Sequence, residues 1–110
     1  MIDWTQVEVL KSELGEDAFE EVVALFLDEM SAEIDGLAQE TDAARLEARF
    51  HILKGSALNL GFAEFSHLCG TAEAATAGGA PDFGSITKII TIYDASRAVF
   101  LSGLSNRKAG

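Results

Sequence analysis

The sequence of 110 residues has one cysteine, Cys69, and no long apolar run. One cysteine excludes an internal disulfide framework and a cysteine-based zinc site, and it favours a reducing compartment. No stretch approaches the roughly 20 apolar residues that cross a bilayer, and the N-terminus lacks the basic start of a secretory signal. We therefore expect a cytoplasmic protein with no membrane segment, in which Cys69 packs in the core.

Basic residues are also scarce. The sequence has 8 Lys and Arg and 18 Asp and Glu, which gives a net charge of −10. Binding a polyanion depends on basic side chains that neutralise phosphates, so this composition argues against nucleic acid and against an anionic membrane surface. The first fifty residues are the most acidic, and their only bases are Lys11, Arg45 and Arg49. We expect a solvated acidic surface there, and any chemistry on anions in the second half.

Motifs of several enzyme classes are missing from the sequence. It has no Gly-rich phosphate loop, no Gly-x-Ser-x-Gly elbow and no nucleotide-binding motif. Without a nucleotide site the chain cannot originate a phosphoryl group as a kinase does. We therefore expect a protein that is not an enzyme of these classes.

The length and the apolar share of 48% suit one domain over residues 1–110. Apolar residues recur at three-and-four spacing along nearly the whole sequence, which predicts five helices. Asp3 and Gly15 bound a short first helix, and a long second helix runs from Asp17 to Gln39. Four long amphipathic helices with short connections, and a short helix in front, predict an all-α fold, an antiparallel up-down four-helix bundle.

The later helices have boundaries of the same kind. Thr41 or Asp42 can cap the third helix, and Gly61 marks its end or a bend. Ser85 can cap the last helix, and residues 105–110 are expected to fray. The apolar faces predicted to point inward are formed by Trp4, Val7, Leu10, Leu14, Phe19, Val22, Val23, Phe26, Leu27, Met30, Ile34, Leu37, Leu46, Phe50, Leu53, Ala57, Leu60, Phe65, Leu68, Cys69, Ala72, Ala75, Ile86, Ile89, Ile90, Tyr93, Arg97, Phe100, Leu101 and Leu104.

The most informative segment is residues 51–61, HILKGSALNLG, in the middle and end of the third helix. At 100° per residue the apolar stripe of this helix lies opposite His51, so the imidazole is expected to point outward. A neutral imidazole nitrogen is a competent nucleophile toward phosphorus. Lys54, one turn on, can offset the charge of a phosphoryl group on the ring. These features predict a histidine that carries a phosphoryl group.

Gly55 lies a full turn from His51 on nearly the same bearing. A glycine inside a helix costs about 1 kcal/mol relative to alanine, so its presence needs a reason. We expect it to leave room over the imidazole for a partner's active site. Leu58 and Phe62 lie within about 20° of the same bearing and either dock a partner or pack under an adjacent helix or loop. The predicted partner-binding surface consists of Ala48, Ile52, Leu58 and Phe62.

With Ser56 and Asn59 in register, the segment resembles the signature of histidine-containing phosphotransfer (HPt) domains, the modules of multistep His-Asp phosphorelays in two-component signalling. The resemblance implies that His51 is the phosphoacceptor, that Lys54 stabilises the phosphoryl group, and that Gly55 gives access to the partner. Ser56 and Asn59 are also consistent with helix packing and a helix end alone.

HPt domains commonly have a glutamine on the following helix that orients the imidazole, and the matching residue here is Glu73. Glutamate is a departure from that pattern. Its carboxylate can accept the ring N–H and fix the tautomer, but it repels a phosphoryl group nearby. Orientation of His51 and simple solvation are therefore both open for Glu73.

The resemblance also implies the partners. His51 would accept a phosphoryl group from a receiver-domain aspartyl phosphate and pass it to the receiver domain of a response regulator, with a hybrid sensor histidine kinase as a further partner. It implies a phosphoprotein without a cofactor of its own, because the magnesium ion would be bound by the receiver domain. We also expect the domain to be monomeric.

Two functions other than phosphate transfer are open to a helical domain with this sequence. Glu64 and His67 form a Glu-x-x-His unit, which builds di-iron sites in helical bundles. Such a site needs an inward-facing glutamate from each of two other helices and a second unit, and the sequence has no second unit. We therefore expect no metal site. The third possibility is a helical adaptor that binds a partner without carrying phosphate, and the intact His51, Lys54 and Gly55 argue against it.

Overall fold

A computed structural model describes residues 1–80 and 83–109 of the chain. These residues form five α-helices and a short 3₁₀ turn, without a strand among them. The all-helical prediction is confirmed. No helix in this part of the chain is both long and apolar enough to cross a membrane. The bounds of the helices are α1 Trp4–Leu14, α2 Glu16–Gln39, α3 Ala43–Leu60, α4 Ala63–Ala77 and α5 Ile86–Ala109.

The predicted helix starts follow from local capping. The Asp3 carboxylate accepts the backbone N–H of Gln6 at 3.2 Å, and the Asp42 carboxylate accepts that of Arg45 at 3.0 Å. Each cap satisfies a donor that the first turn of a helix leaves free. Ser85, the predicted cap of the last helix, ends the 3₁₀ turn Phe83–Ser85 and directly precedes α5.

The α3–α4 pair forms the most extensive helix–helix contact, α2 packs on α3, and α5 packs on α4 and α2. Among the described residues, their shared core contains Cys69, as predicted, together with eighteen other buried apolar residues, including Met30, Phe50 and Phe65. Burial raises the pKa of the Cys69 thiol to about 12, so it stays protonated and inert. Four residues expected to face inward are instead exposed: Leu14, Ala75, Arg97 and Leu101.

The junction between α3 and α4 is a tight turn at Gly61. This residue has φ +90° and ψ 15°, the left-handed conformation that favours glycine, and it ends α3 as predicted. A Cβ there would lie 2.8 Å from the Asp3 carbonyl oxygen and 3.0 Å from a Val7 methyl. The Gly61 carbonyl also accepts the N–H of Asp3 at 2.7 Å, so the turn anchors the start of α1.

The last residues of α5 are helical instead of frayed as far as Ala109, and Gly110 lies outside the described residues. Arg107 explains the difference. Its guanidinium lies 4.4 Å above the Trp4 ring and donates to the Glu8 carboxylate at 3.0 Å. The Trp4 ring stacks on Phe100 and occupies the space beside Gly103. These contacts between the two ends of the chain stabilise the last turn of α5. They cannot be inferred from local helix propensity.

Candidate functional site

The candidate site is formed by the middle of α3 and the facing turns of α4. The inner face of α3 is buried in the core and includes Phe50, Leu53 and Ala57. His51 lies on the opposite, outer face. Its side chain is 69% exposed, as the helical bearing predicts. Arg49, on the side of α3 that faces α2, donates to Glu33 and Glu40 at 3.0 and 2.9 Å and ties the two helices together.

Glu73 contacts both functional side chains of α3. One carboxylate oxygen, Oε2, lies 2.8 Å from His51 Nδ1, and the other, Oε1, accepts from Lys54 Nζ at 2.6 Å. The hydrogen bond from Lys54, followed by the one from His51, holds the pKa of Glu73 below its usual range although partial burial opposes the shift. Two roles were open for Glu73, orientation of His51 and simple solvation. Its hydrogen bond to the imidazole supports the first.

This contact determines the tautomer of His51. An ionised carboxylate only accepts hydrogen bonds, so the proton of the neutral ring must be on Nδ1. The lone pair of the ring is then on Nε2, at the end of an exposed side chain. His51 therefore presents a nucleophilic nitrogen to solvent in a fixed orientation.

Lys54 crosses from α3 to α4 to reach Glu73, and this path involves two residues that the sequence analysis missed. A Cβ on Gly70 would lie 3.3 Å from Lys54 Cδ, so the absence of a side chain there gives the lysine stem its course. Ser66 is buried, and its hydroxyl donates to the Lys54 carbonyl at 3.0 Å. A glycine inside α4, one turn before Glu73, was the signal for Gly70, whereas nothing local marked Ser66.

The space above Gly55 is open. A Cβ built on this residue meets nothing within 4 Å, so the glycine is not required by packing inside the domain. It lies instead beside an open groove of about 560 Å³ on the α3–α4 face, lined by Lys54, Gly55, Leu58, Ser66, His67, Gly70, Thr71 and Ala74. This supports the interpretation that the glycine serves access from outside.

Substituting two glycines by alanine should change stability in opposite directions. Gly55→Ala should raise the free energy of unfolding by up to about 1 kcal/mol, because alanine is the better helix former and nothing obstructs its methyl group. Gly103→Ala should lower it by about 1–3 kcal/mol, because its Cβ would overlap the Trp4 ring. Denaturant unfolding of the two variants tests this, and equal shifts would contradict the packing described for both sites.

Three of the predicted partner-binding residues are exposed and the fourth is not. Ala48, Ile52 and Leu58 lie on the surface, and Leu58 is 64% exposed. The prediction for Phe62 was wrong, because this side chain is 0% exposed.

The reason is that α3 ends at Leu60, so the helical bearing does not extend past Gly61. The chain reverses there, and the N–H of Phe62 donates to the Ala57 carbonyl at 2.8 Å. The Phe62 ring then packs in the core against Phe100 and Tyr93, with centroids 5.2 and 6.3 Å away.

The remaining small and polar residues of the motif have structural positions. Ser56 is buried between helices, as its size suggested. The Asn59 carbonyl accepts from the Gln6 side chain at 3.1 Å, which links the end of α3 to α1. Glu64 and His67 are both exposed, so they do not form the inward-facing unit of a bundle metal site. Within residues 1–80 and 83–109, no three His, Cys, Asp or Glu side chains are grouped to hold a metal ion.

Comparison with protein families identifies the family of the chain. The family model described as Hpt domain matches residues 21–98, which include the whole α3–α4 site and most of the chain. The chain belongs to the Hpt domain family. No curated protein and no solved structure matches it. Hpt domains are phosphocarriers of two-component systems and not kinases, and they interact with receiver domains in phosphorelays.

Proposed function

We propose that this Hpt domain is a phosphorelay intermediate that accepts a phosphoryl group on His51 from a receiver-domain aspartyl phosphate and passes it to a second receiver domain. The observation that carries the proposal is the bond between His51 Nδ1 and Glu73, which leaves the lone pair on the exposed Nε2. A hybrid sensor histidine kinase is a further proposed donor. We also propose that α2–α5 form the antiparallel up-down bundle of a monomeric, cytoplasmic domain.

The transfer proposed for His51 is an in-line displacement. The Nε2 lone pair attacks phosphorus, and the bond from phosphorus to the aspartyl oxygen breaks, with its electron pair remaining on the carboxylate. Nδ1 keeps its proton throughout, shared with Glu73 Oε2. Return of the phosphoryl group to another aspartate is the reverse of these steps. We expect the magnesium ion that assists such a transfer to be bound by the receiver domain.

Lys54 has a second position in this scheme. In the unmodified domain the ammonium group of Lys54 forms an ion pair with Glu73, and 39% of the Lys54 side chain is exposed. A phosphoryl group on His51, one turn away on the same helix, is a stronger anion within reach of the same flexible stem. We propose that Lys54 shares its hydrogen bonds with the phosphoryl oxygens once they are present.

Lys54→Ala should therefore slow transfer or shorten the lifetime of the phosphorylated form by about two- to tenfold, as expected for one partly solvated charge-assisted hydrogen bond. Its melting temperature should stay close to that of the parent, since partly exposed ion pairs contribute little to stability. Transfer kinetics and the decay of labelled protein measure the effect. Lys11→Ala on α1 is the matched control. If both variants behave like the parent, Lys54 is only a surface charge.

A further inference from the structure

Glu73 places a negatively charged side chain where Hpt domains commonly have a neutral glutamine. Its carboxylate is hydrogen-bonded to the imidazole of His51. Lys54 occupies Oε1 of Glu73 at 2.6 Å, and Oε2 is left for His51 Nδ1 at 2.8 Å. The Glu73 side chain is 17% exposed, so its carboxylate is held between Lys54 and the 69% exposed His51 ring instead of extending freely into solvent. The carboxylate therefore acts on the proton of Nδ1 as well as on the orientation of the ring.

The proton on Nδ1 matters for the reactivity of phosphohistidine. When the N–P bond at Nε2 breaks, its electron pair returns to the ring. A ring that carries a proton on Nδ1 leaves as neutral imidazole, whereas a ring without this proton must leave as the imidazolide anion. The neutral leaving group is far better, so loss of the Nδ1 proton slows discharge. Hydrogen bonding to a charged acceptor favours the protonated ring.

We propose that the charge of Glu73 holds the proton on Nδ1 of phosphorylated His51, so that the phosphoryl group stays transferable to a higher pH than on a histidine without such a partner. Glu73 is thereby a positioning residue that acts through the imidazole. This inference rests on the proposed function of His51. It goes beyond orientation, because a neutral glutamine can orient the ring equally well but cannot supply the charge.

The other ionisable groups around the ring are few. Glu47 precedes His51 by one turn on α3, Lys54 follows it by one turn, and His67 lies on α4 beside the same groove. The positive charge of Lys54 disfavours a proton on the ring of phosphorylated His51, whereas the negative charges of Glu47 and Glu73 favour it. Only Glu73 makes a hydrogen bond to the ring among these groups, so its removal should have the largest effect.

The chain supplies its own reference histidine. His67 is exposed, and its ring has no hydrogen-bond partner within the described residues. Because His51 and His67 are the 2 histidines of the sequence, a His67→Gln background isolates phosphorylated His51, and a His51→Gln variant isolates phosphorylated His67. Both can be prepared with phosphoramidate, a small donor that needs no partner protein.

The experiment is the hydrolysis rate of the phosphorylated protein between about pH 6 and 10, followed by phosphorus NMR. In the His67→Gln background, the pH at which hydrolysis slows should lie about one unit or more above that of phosphorylated His67. Adding Glu73→Gln, which keeps the size of the side chain and an acceptor oxygen, should move it down toward the His67 reference. Adding Lys54→Ala should not lower it, because the carboxylate remains.

Three possible results distinguish a failure of this inference from a failure of the proposed function. If His51 takes phosphate but the parent, Glu73→Gln and His67 profiles coincide, the charge of Glu73 has no such role, while His51 remains a phosphoacceptor. If Lys54→Ala lowers the profile as far as Glu73→Gln does, the effect belongs to the ion pair and not to the carboxylate, which also overturns the inference. If phosphoramidate does not label His51 at all, the proposed function itself fails.

Discussion

His51→Gln should abolish phosphorylation of the domain by a phosphorylated receiver domain, reducing the label to background. Nε2 of His51 is the nucleophile that α3 presents to solvent one turn from Lys54, and glutamine has no nucleophilic nitrogen at that position. The fold should be unaffected, because the side chain is 69% exposed and glutamine is a good helix former. The change in the free energy of unfolding should stay within about 0.5 kcal/mol.

Incorporation of label from a phosphorylated receiver domain, together with the circular dichroism of the variant, measures both effects. His67→Gln is the matched control, since it removes the second exposed histidine on the same face and should leave labelling unchanged. Label that persists in His51→Gln, or that maps to His67, would refute the assignment of the phosphoacceptor.

Gly55→Gln should separate stability from function. The domain should be at least as stable as the parent, because glutamine has the higher helix propensity and a Cβ at Gly55 meets nothing within 4 Å. Transfer from a receiver domain should fall by about tenfold or more, because a long side chain one turn from His51 would obstruct close approach and small misplacements at a reacting centre have effects of this size. Small phosphodonors need less room and should be affected less.

The measurement is the melting temperature together with the transfer rates from a receiver domain and from phosphoramidate. Gly55→Ala adds only a methyl group, so its transfer rate from a receiver domain should lie between those of the parent and of Gly55→Gln. Ala95→Gln introduces the same long side chain at an exposed position of α5, which packs on α4 and α2, and should leave transfer unchanged. If Gly55→Gln is stable and takes phosphate from the receiver as fast as the parent, access is not the reason for the glycine.

Local rules account for the parts of the fold that could be predicted. The periodicity of apolar residues and the capping carboxylates of Asp3 and Asp42 act within one or two turns, so the sequence reports them directly. The outward direction of His51 follows from the same helical geometry. The prediction for Phe62 was wrong because one left-handed residue, Gly61, ends the helix and redirects everything after it.

The features that could not be predicted are contacts that depend on how the helices are aligned with one another. The bridge from Glu73 to both His51 and Lys54 requires that one turn of α4 lies opposite one turn of α3, which neither helix specifies alone. The helical end of α5 likewise depends on Arg107 meeting Trp4 at the other end of the chain. Such contacts between residues distant in sequence override local propensity.

The central claim is that His51 relays a phosphoryl group between receiver domains, and a two-step transfer tests it most directly. The domain would be incubated with a panel of receiver domains carrying labelled aspartyl phosphate, repurified, and then mixed with unlabelled receiver domains. We predict acid-labile label that maps to His51 after the first step and moves onto a receiver aspartate in the second. A domain that binds receiver domains but acquires no label from any of them would contradict the account and identify it as an adaptor without phosphotransfer.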